Sequence, residues 1–131
     1  QGVPQDYKTA VKWYTLSAEQ GNASAQYSLG FIYYNGQGVP QDYKTAVKWW
    51  TLSAAQGDAE AQYNLGYMYD NGQGVLQDNV YALMWFNIAA SNGHEDATKN
   101  RDIMAGGMTP SDISKAQQLA RECVAKDYKG C

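Results

Sequence analysis

The sequence predicts an all-α fold: an α/α superhelix (solenoid) of helix-turn-helix repeats with a C-terminal capping helix. Three observations carry this prediction. The sequence repeats with a period of 36 residues, each period holds two helical patterns, and turn-forming residues separate those patterns. Repeats of about this length stack into solenoids, because a single helical pair cannot bury its apolar face alone.

The first two periods are nearly identical. Residues 1–36 align with residues 37–72 without a gap, and a more divergent third copy begins at Gln73. One structural unit is therefore repeated along the chain, and the few positions that differ between the copies indicate where the copies differ in function. The differing positions of the first copy are 14, 19, 22, 24, 28, 31, 32 and 34.

The first helical pattern of a period runs from about Asp42 to Gln56. The Asp42 carboxylate can accept the free amides of the first turn, and Gly57 can take the left-handed conformation that ends a helix. Between them, apolar and small residues recur with the i, i+3, i+4 spacing of one helix face. The predicted buried face consists of Ala46, Trp49, Trp50, Ser53 and Ala54.

The second helical pattern runs from about Ala59 to Asp70, with Asp58 as its cap and Asn71-Gly72 as its end. Gly66 lies inside this helix, as Gly30 does in the earlier copy, although an interior glycine costs about 1 kcal/mol relative to alanine. Its recurrence predicts a close approach of two helices that offsets the cost. The predicted buried side is Ala61, Leu65, Met68 and Tyr69, with Val39 and Val75 tucked between helices.

The array is predicted to end in a polar unit and a capping helix. Arg101 and Asp102 replace the leucine and glycine of earlier copies, as expected where no further repeat packs. Thr109 and Pro110 then form a strong helix start, as N-cap and first helical residue. The helix reaches about Lys126 and seals the last unit, or docks a partner. Its apolar stripe is Ile113, Ala116, Leu119, Ala120 and Cys123.

These motifs resemble the SEL-type repeat family, a relative of the tetratricopeptide repeats. The resemblance rests on the string from Ala61 to Tyr69, on Asn71 to Val75, and on Ala82 with Trp85-Phe86 and Ala89-Ala90. It implies an α/α superhelix whose members mostly act as adaptors in protein complexes, many of them bacterial and some secreted.

The phasing of the family divides the chain into units within a single α-solenoid domain, 1–131. In this phasing the first helical pattern of the sequence corresponds to the second helix of a repeat. We therefore expect the chain to open with an orphan helix, without the first helix of its repeat. The units are residues 5–21 (orphan helix), 22–57 and 58–93 (repeats), 94–108 (degenerate last unit), and 109–131 (capping helix and tail).

The same phasing implies a binding groove on the concave side, formed by the first helix of each repeat and suited to another protein or peptide. Five of the eight differences between the copies fall on this helix, and the mapped residues are rich in Tyr, Phe, Asn and Asp. Alternatively, Tyr27 and Tyr63 simply pack between helices. The mapped residues are Ser24, Tyr27, Phe31, Tyr34, Asn35, Glu60, Tyr63, Tyr67, Asp70, Asn71 and Lys99, with Asp96 and Ile103 nearby.

The two cysteines, Cys123 and Cys131, lie close together at the C-terminal end. A disulfide, two free thiols and, least of all, a metal site are the alternatives. A disulfide favours a periplasmic or secreted protein, and free thiols a cytoplasmic one. His94 stands where the repeats carry Asn22 and Asp58, which predicts a cap or surface residue.

Composition argues against several function classes. The formal net charge of -3 disfavours nucleic-acid binding, and no apolar run is long enough for membrane insertion. No phosphate-binding loop, cofactor motif or metal-ligand cluster is present, and a lone histidine supports no catalytic pair. The main prediction is therefore a binding module that is not an enzyme. The alternatives are a hydrolase acting on β-lactam or cell-wall compounds and a structural spacer in a longer array; the oligomeric state is left open.

Overall fold

The computed structural model describes residues 3–131. Along this stretch the chain forms seven α-helices and no strand, which confirms the predicted all-α fold. The helices are α1 (Val3–Glu19), α2 (Ala23–Asn35), α3 (Tyr43–Ala54), α4 (Ala59–Asn71), α5 (Asn79–Ser91), α6 (Glu95–Ala105) and α7 (Pro110–Ala125).

The helix ends are set by the predicted capping residues. The Asp42 carboxylate accepts the Thr45 amide at 3.2 Å, and the Asp58 carboxylate accepts the Glu60 amide at 3.1 Å. Gly72 closes α4 in the left-handed conformation, with φ of 66°, and its amide donates to the Met68 carbonyl. Each side chain or glycine satisfies backbone groups that a helix end would leave without partners.

Each helix from α1 to α6 packs against the next, which generates the solenoid. The predicted face of α3 is confirmed in full, since Ala46, Trp49, Trp50, Ser53 and Ala54 are all buried. In α4, Ala61, Leu65 and Met68 are buried and Tyr69 is partly buried, as predicted. The interior is thus one continuous row of interfaces between successive helices.

Buried glutamines join successive helices, and the sequence pattern did not predict them. Gln62 is fully buried, and its Nε2 donates to the Ala54 carbonyl at 3.2 Å. Its Oε1 accepts from Asn92 Nδ2 at 2.9 Å. One repeat earlier, Gln26 donates to the Ala18 carbonyl in the same way. These bonds satisfy carbonyls in the last turn of the preceding helix, so the polar groups are buried without an unpaired partner.

The sequence predicted a capping helix without indicating which helix it would contact. In the structure α7 packs mainly against α5 rather than α6. The reason lies in the composition of the two helices: α6 carries Arg101 and Asp102, whereas α5 is apolar on several sides and packs against α4, α6 and α7. The buried residues of α5 are Ala82, Leu83, Met84, Trp85, Phe86, Ile88 and Ala89.

Candidate functional site

Three adjoining cavities lie along α2, α4 and α6, the first helices of successive repeats. Their volumes are about 440 Å³, 210 Å³ and 300 Å³. The first and second cavities share Phe31, Tyr63 and Asn64, and the second and third share Tyr67. We call this continuous surface the α2–α4–α6 groove.

The first cavity combines aromatic rings with carboxylates. Helix α2 contributes Tyr27 and Phe31, whose rings meet edge to face with centroids 5.2 Å apart. Helix α4 contributes the middle of the wall, and the start of α6 closes the far side. The lining from these two elements is Glu60, Tyr63, Asn64, Gly93, His94, Glu95 and Asp96.

The second cavity is the most aromatic part of the groove. The Phe31 ring lies edge to face on Trp50, with centroids 5.3 Å apart. Trp50 itself is anchored, because its Nε1 donates to the Tyr27 carbonyl at 3.0 Å. The rings that line this cavity are therefore held in fixed orientations by their neighbours. The lining is Phe31, Tyr34, Trp50, Tyr63, Asn64 and Tyr67.

The third cavity lies between α4 and α6, toward the ends of these helices. Ile103 is 76% exposed there, an unusual position for a large aliphatic side chain. It stands beside Met104 and Tyr67, so this part of the groove presents an apolar surface to solvent. The full lining is Tyr67, Asp70, Asn71, Phe86, Asn100, Ile103 and Met104.

The structure brings eight of the eleven predicted groove residues into these cavities and leaves three outside them. Ser24, Asn35 and Lys99 are exposed and line none of the three cavities. The eight are Tyr27, Phe31, Tyr34, Glu60, Tyr63, Tyr67, Asp70 and Asn71.

His94 and Tyr63 form a fixed unit at the first cavity. Their rings are stacked, with centroids 4.5 Å apart and planes inclined by 14°. His94 Nδ1 accepts the Ala97 amide at 3.1 Å, which confirms the predicted capping role. The ring proton therefore resides on Nε2, which lies 3.2 Å from Glu60 Oε1. Asn100 completes the unit by donating to the Tyr63 hydroxyl at 3.0 Å.

The family phasing missed eight residues that line the groove, among them Asn64, His94 and Asn100. Asn64 lines two cavities, and its Nδ2 is buried without a hydrogen-bond partner in the part of the chain that the structure describes. A signal for it was present, since position 28, its counterpart in the first copy, is one of the eight that differ. No pattern in the sequence indicated Asn100, whose role depends on the approach of α6 to Tyr63.

Burial and nearby carboxylates raise the pKa values of tyrosine hydroxyls in the groove. Burial raises the pKa of the Tyr27 hydroxyl, and the charges of Glu60 and Asp58 raise it further. The pKa of Tyr63 is also raised, first by burial; Asn100 opposes the shift, whereas the Asp96 and Glu60 charges add to it. Both hydroxyls are therefore neutral at physiological pH and able to donate hydrogen bonds.

The cysteines lie away from the groove and form a disulfide, Cys123–Cys131. The tail that follows α7 is also held by two hydrogen bonds, from the Tyr81 hydroxyl to the Cys131 carbonyl at 2.8 Å and from the Tyr128 hydroxyl to Asn92 at 3.3 Å. Of the alternatives open from the sequence, the disulfide is thus the arrangement found.

Comparison with known proteins identifies the repeat. A sequence model of the Sel1 repeat matches residues 1–22, 23–58 and 59–94. The chain belongs to the Sel1 repeat family. The two complete Sel1 repeats contain the helix pairs α2–α3 and α4–α5, and the family resemblance read from the sequence is confirmed. No curated protein sequence matches the chain significantly.

Three solved structures share the fold. A protective antigen of uropathogenic Escherichia coli with an SLR fold is 32% identical over 92% of this chain, with a TM-score of 0.86. The match spans only 27% of that antigen. A Sel1 repeat protein from Oxalobacter formigenes is 38% identical over 70% of this chain and 69% of its own, with a TM-score of 0.69. Cysteine rich protein B of Helicobacter pylori, 22% identical over 76% of this chain and 98% of its own (TM-score 0.58), shares the fold alone.

Proposed function

We propose that this Sel1 repeat chain binds an extended segment of a partner protein in the α2–α4–α6 groove. Sel1 repeat proteins generally serve as protein-interaction modules. The observation that carries the proposal is the row of three adjoining cavities along the first helices of successive repeats. Elongated concave surfaces of this kind are what solenoids use for binding.

The chemistry of the groove suits a peptide. Phe31 is 36% exposed and Tyr67 is 41% exposed, so both rings offer apolar contact area that this chain does not cover itself. Rings of this type are frequent energetic centres of protein interfaces. Asn64, which lines two of the cavities, and the carboxylate of Asp70 supply polar partners for a peptide backbone.

Display of random peptides tests the proposal. Peptides selected on the intact chain are expected to lose binding about tenfold or more with Phe31→Ala or Tyr67→Ala, because each variant removes exposed contact area. Leu52→Ala is the matched control, since Leu52 is 43% exposed on α3 and lines none of the three cavities. Retained helical circular dichroism shows that the variants fold.

Tyr63 is a poor residue for this test. Its ring is stacked on His94 and its hydroxyl accepts from Asn100, so its removal also disturbs the contact between α4 and α6. Failure to select any peptide, or equal loss with Leu52→Ala, would contradict the groove and favour a structural spacer.

An assay with a β-lactam substrate tests the alternative that the protein is a hydrolase. Purified protein incubated with nitrocefin is expected to show no turnover above that of buffer. Turnover that persists through purification and is lost with a single groove substitution would identify an enzyme instead.

We also propose an oxidising location, periplasmic or secreted, because a persistent disulfide such as Cys123–Cys131 belongs to such compartments. Thiol titration of protein isolated from its natural source without reductant is expected to find no free thiol. Two free thiols would place the protein in the cytoplasm.

A further inference from the structure

We propose that the first cavity of the groove holds a cationic side chain, arginine or lysine, of the bound segment. The inference rests on the proposed function and specifies its partner: a short basic segment with apolar residues beside the cation. It is carried by the charge and the aromatic walls of this cavity.

The charge of the cavity is one-sided. Its lining carries three carboxylates, those of Glu60, Glu95 and Asp96, and neither lysine nor arginine. In the part of the chain that the structure describes, the one ion pair is Arg101–Asp102, and the neutral His94 ring donates from Nε2 to Glu60 Oε1 at 3.2 Å. Glu95 and Asp96 therefore have no cationic partner there, although Lys99 follows one turn later on α6.

The partial positive charge at the N-terminus of α6 does not reverse the negative charge of the cavity. A helix N-terminus is equivalent to roughly half a positive charge, whereas Glu95 and Asp96 bring two negative charges to the first turn. In addition, His94 Nδ1 already accepts the Ala97 amide, which removes one of the free donors that attract anions. The first turn of α6 therefore presents net negative charge to the cavity.

Aromatic rings complete the site. Tyr27, Phe31 and Tyr63 line the same cavity as the carboxylates. Ammonium and guanidinium groups are attracted to the faces of such rings, and a guanidinium also stacks on them. The raised pKa of Tyr63, to which the Asp96 and Glu60 charges contribute after burial, is consistent with a negative potential at this wall.

The other end of the groove indicates what accompanies the cation. The third cavity presents Ile103, Met104 and Tyr67 on an apolar surface. A segment that crosses the groove therefore places its cation at the starts of α4 and α6 and apolar side chains toward their ends.

Nuclear magnetic resonance provides a direct test, because His94 is the single histidine of the chain and its Hε1 signal reports on this cavity. The probes are N-acetyl-arginine amide and N-acetyl-citrulline amide, which have nearly the same shape but differ in charge. We expect the arginine probe to shift the His94 signal with a Kd in the millimolar range. We expect the citrulline probe to bind at least fivefold more weakly, and the preference to shrink as salt is raised.

The double variant Glu60→Gln, Asp96→Asn is expected to abolish the preference for arginine. Its charge-matched control is Asp112→Asn, Glu122→Gln, which removes two exposed carboxylates from α7, away from the cavity. The control is expected to keep at least a fivefold preference. Circular dichroism confirms that both fold.

Equal binding of the two probes, no binding of either, or a preference that survives in Glu60→Gln, Asp96→Asn would overturn the inference. These failures are distinct from failure of the proposed function. If selected peptides bind through Phe31 and Tyr67 but show no preference for a cation, peptide binding in the groove is supported and the cation site is contradicted. If the arginine probe binds while no peptide is selected, the cation site stands and the groove does not.

Discussion

The ring of Phe86 packs directly against Gly66, in the space that a β-carbon would occupy. A β-carbon at Gly66 would lie 2.6 Å from Phe86 Cε1. Trp50 lies against Gly30 in the same way one repeat earlier. The close helix approach predicted from the recurring glycine is thereby confirmed, and in both repeats the neighbour is an aromatic ring of the following helix.

Gly66→Ala is expected to lower the free energy of unfolding by about 1–2 kcal/mol, measured by urea denaturation. Overpacking a core costs about 1–3 kcal/mol, which exceeds the gain of about 1 kcal/mol from helix propensity. Gly106→Ala is the control, because Gly106 has an ordinary helical φ of -62° and a β-carbon there would come no closer than 3.4 Å to its neighbours. It is expected to be neutral or slightly stabilising; equal losses for both variants would contradict the packing argument.

His94→Ala is expected to destabilise the chain by about 1–2 kcal/mol, because it removes both the cap of α6 and the ring stacked on Tyr63. His94→Asn is the matched variant, since asparagine caps α2 at the equivalent position 22. It is expected to cost about half as much in urea denaturation. Equal losses in the two variants would assign the whole effect to the lost stacking.

Reduction of Cys123–Cys131 is expected to lower the free energy of unfolding by about 2–3 kcal/mol, from the loop-closure entropy of a short ring. It is also expected to free the tail, where Asp127 and Tyr128 hold left-handed conformations with φ of 57° and 66°. Trypsin followed by mass spectrometry should then find faster cleavage at Lys126 and Lys129. Unchanged cleavage would show that the hydrogen bonds of the tail suffice to hold it.

Stability is expected to fall as the pH rises above about 10. Burial raises the pKa of Tyr27, Tyr34, Tyr63 and Tyr69 above the usual tyrosine value of 10.0. The unfolded chain then loses these protons at lower pH than the folded chain, so their contribution is complete below pH 10 and is lost as the pH passes through the raised values. Urea midpoints at pH 9 and pH 11 measure the loss.

Tyr69→Phe is the control for this pH dependence, because it removes one of the four hydroxyls with a raised pKa and retains the ring. Its urea midpoint is expected to fall less between pH 9 and pH 11 than that of the unaltered chain. The same fall in both proteins would show that Tyr69 does not contribute.

Local signals were sufficient for most of the fold. Asp42, Asp58 and Thr109 cap their helices as predicted, because a cap depends only on residues two or three positions apart. The buried face of α3 follows from periodicity alone. The helix that α7 contacts was not predicted, since an apolar stripe indicates that a helix is covered but not which helix covers it.

The candidate groove could be predicted from the sequence to a similar extent. Family phasing located residues such as Phe31 and Tyr67, because their positions within a repeat determine which side of the helix they occupy. It did not locate His94 or Asn100, whose places depend on how α6 approaches Tyr63.

The segment before α3 shows what the tertiary structure decided. The Asp42 amide donates to the Tyr33 carbonyl at 2.9 Å and Gln41 Nε2 donates to the Tyr34 carbonyl at 3.0 Å, which docks the segment on α2 as a turn. The sequence by itself determined the repeat, the caps and the alternation of helices, which are local properties. The docking of this segment on α2, the packing of α7 on α5 and the stacking of His94 on Tyr63 were decided by the tertiary structure, because each depends on hydrogen bonds or packing between different helices.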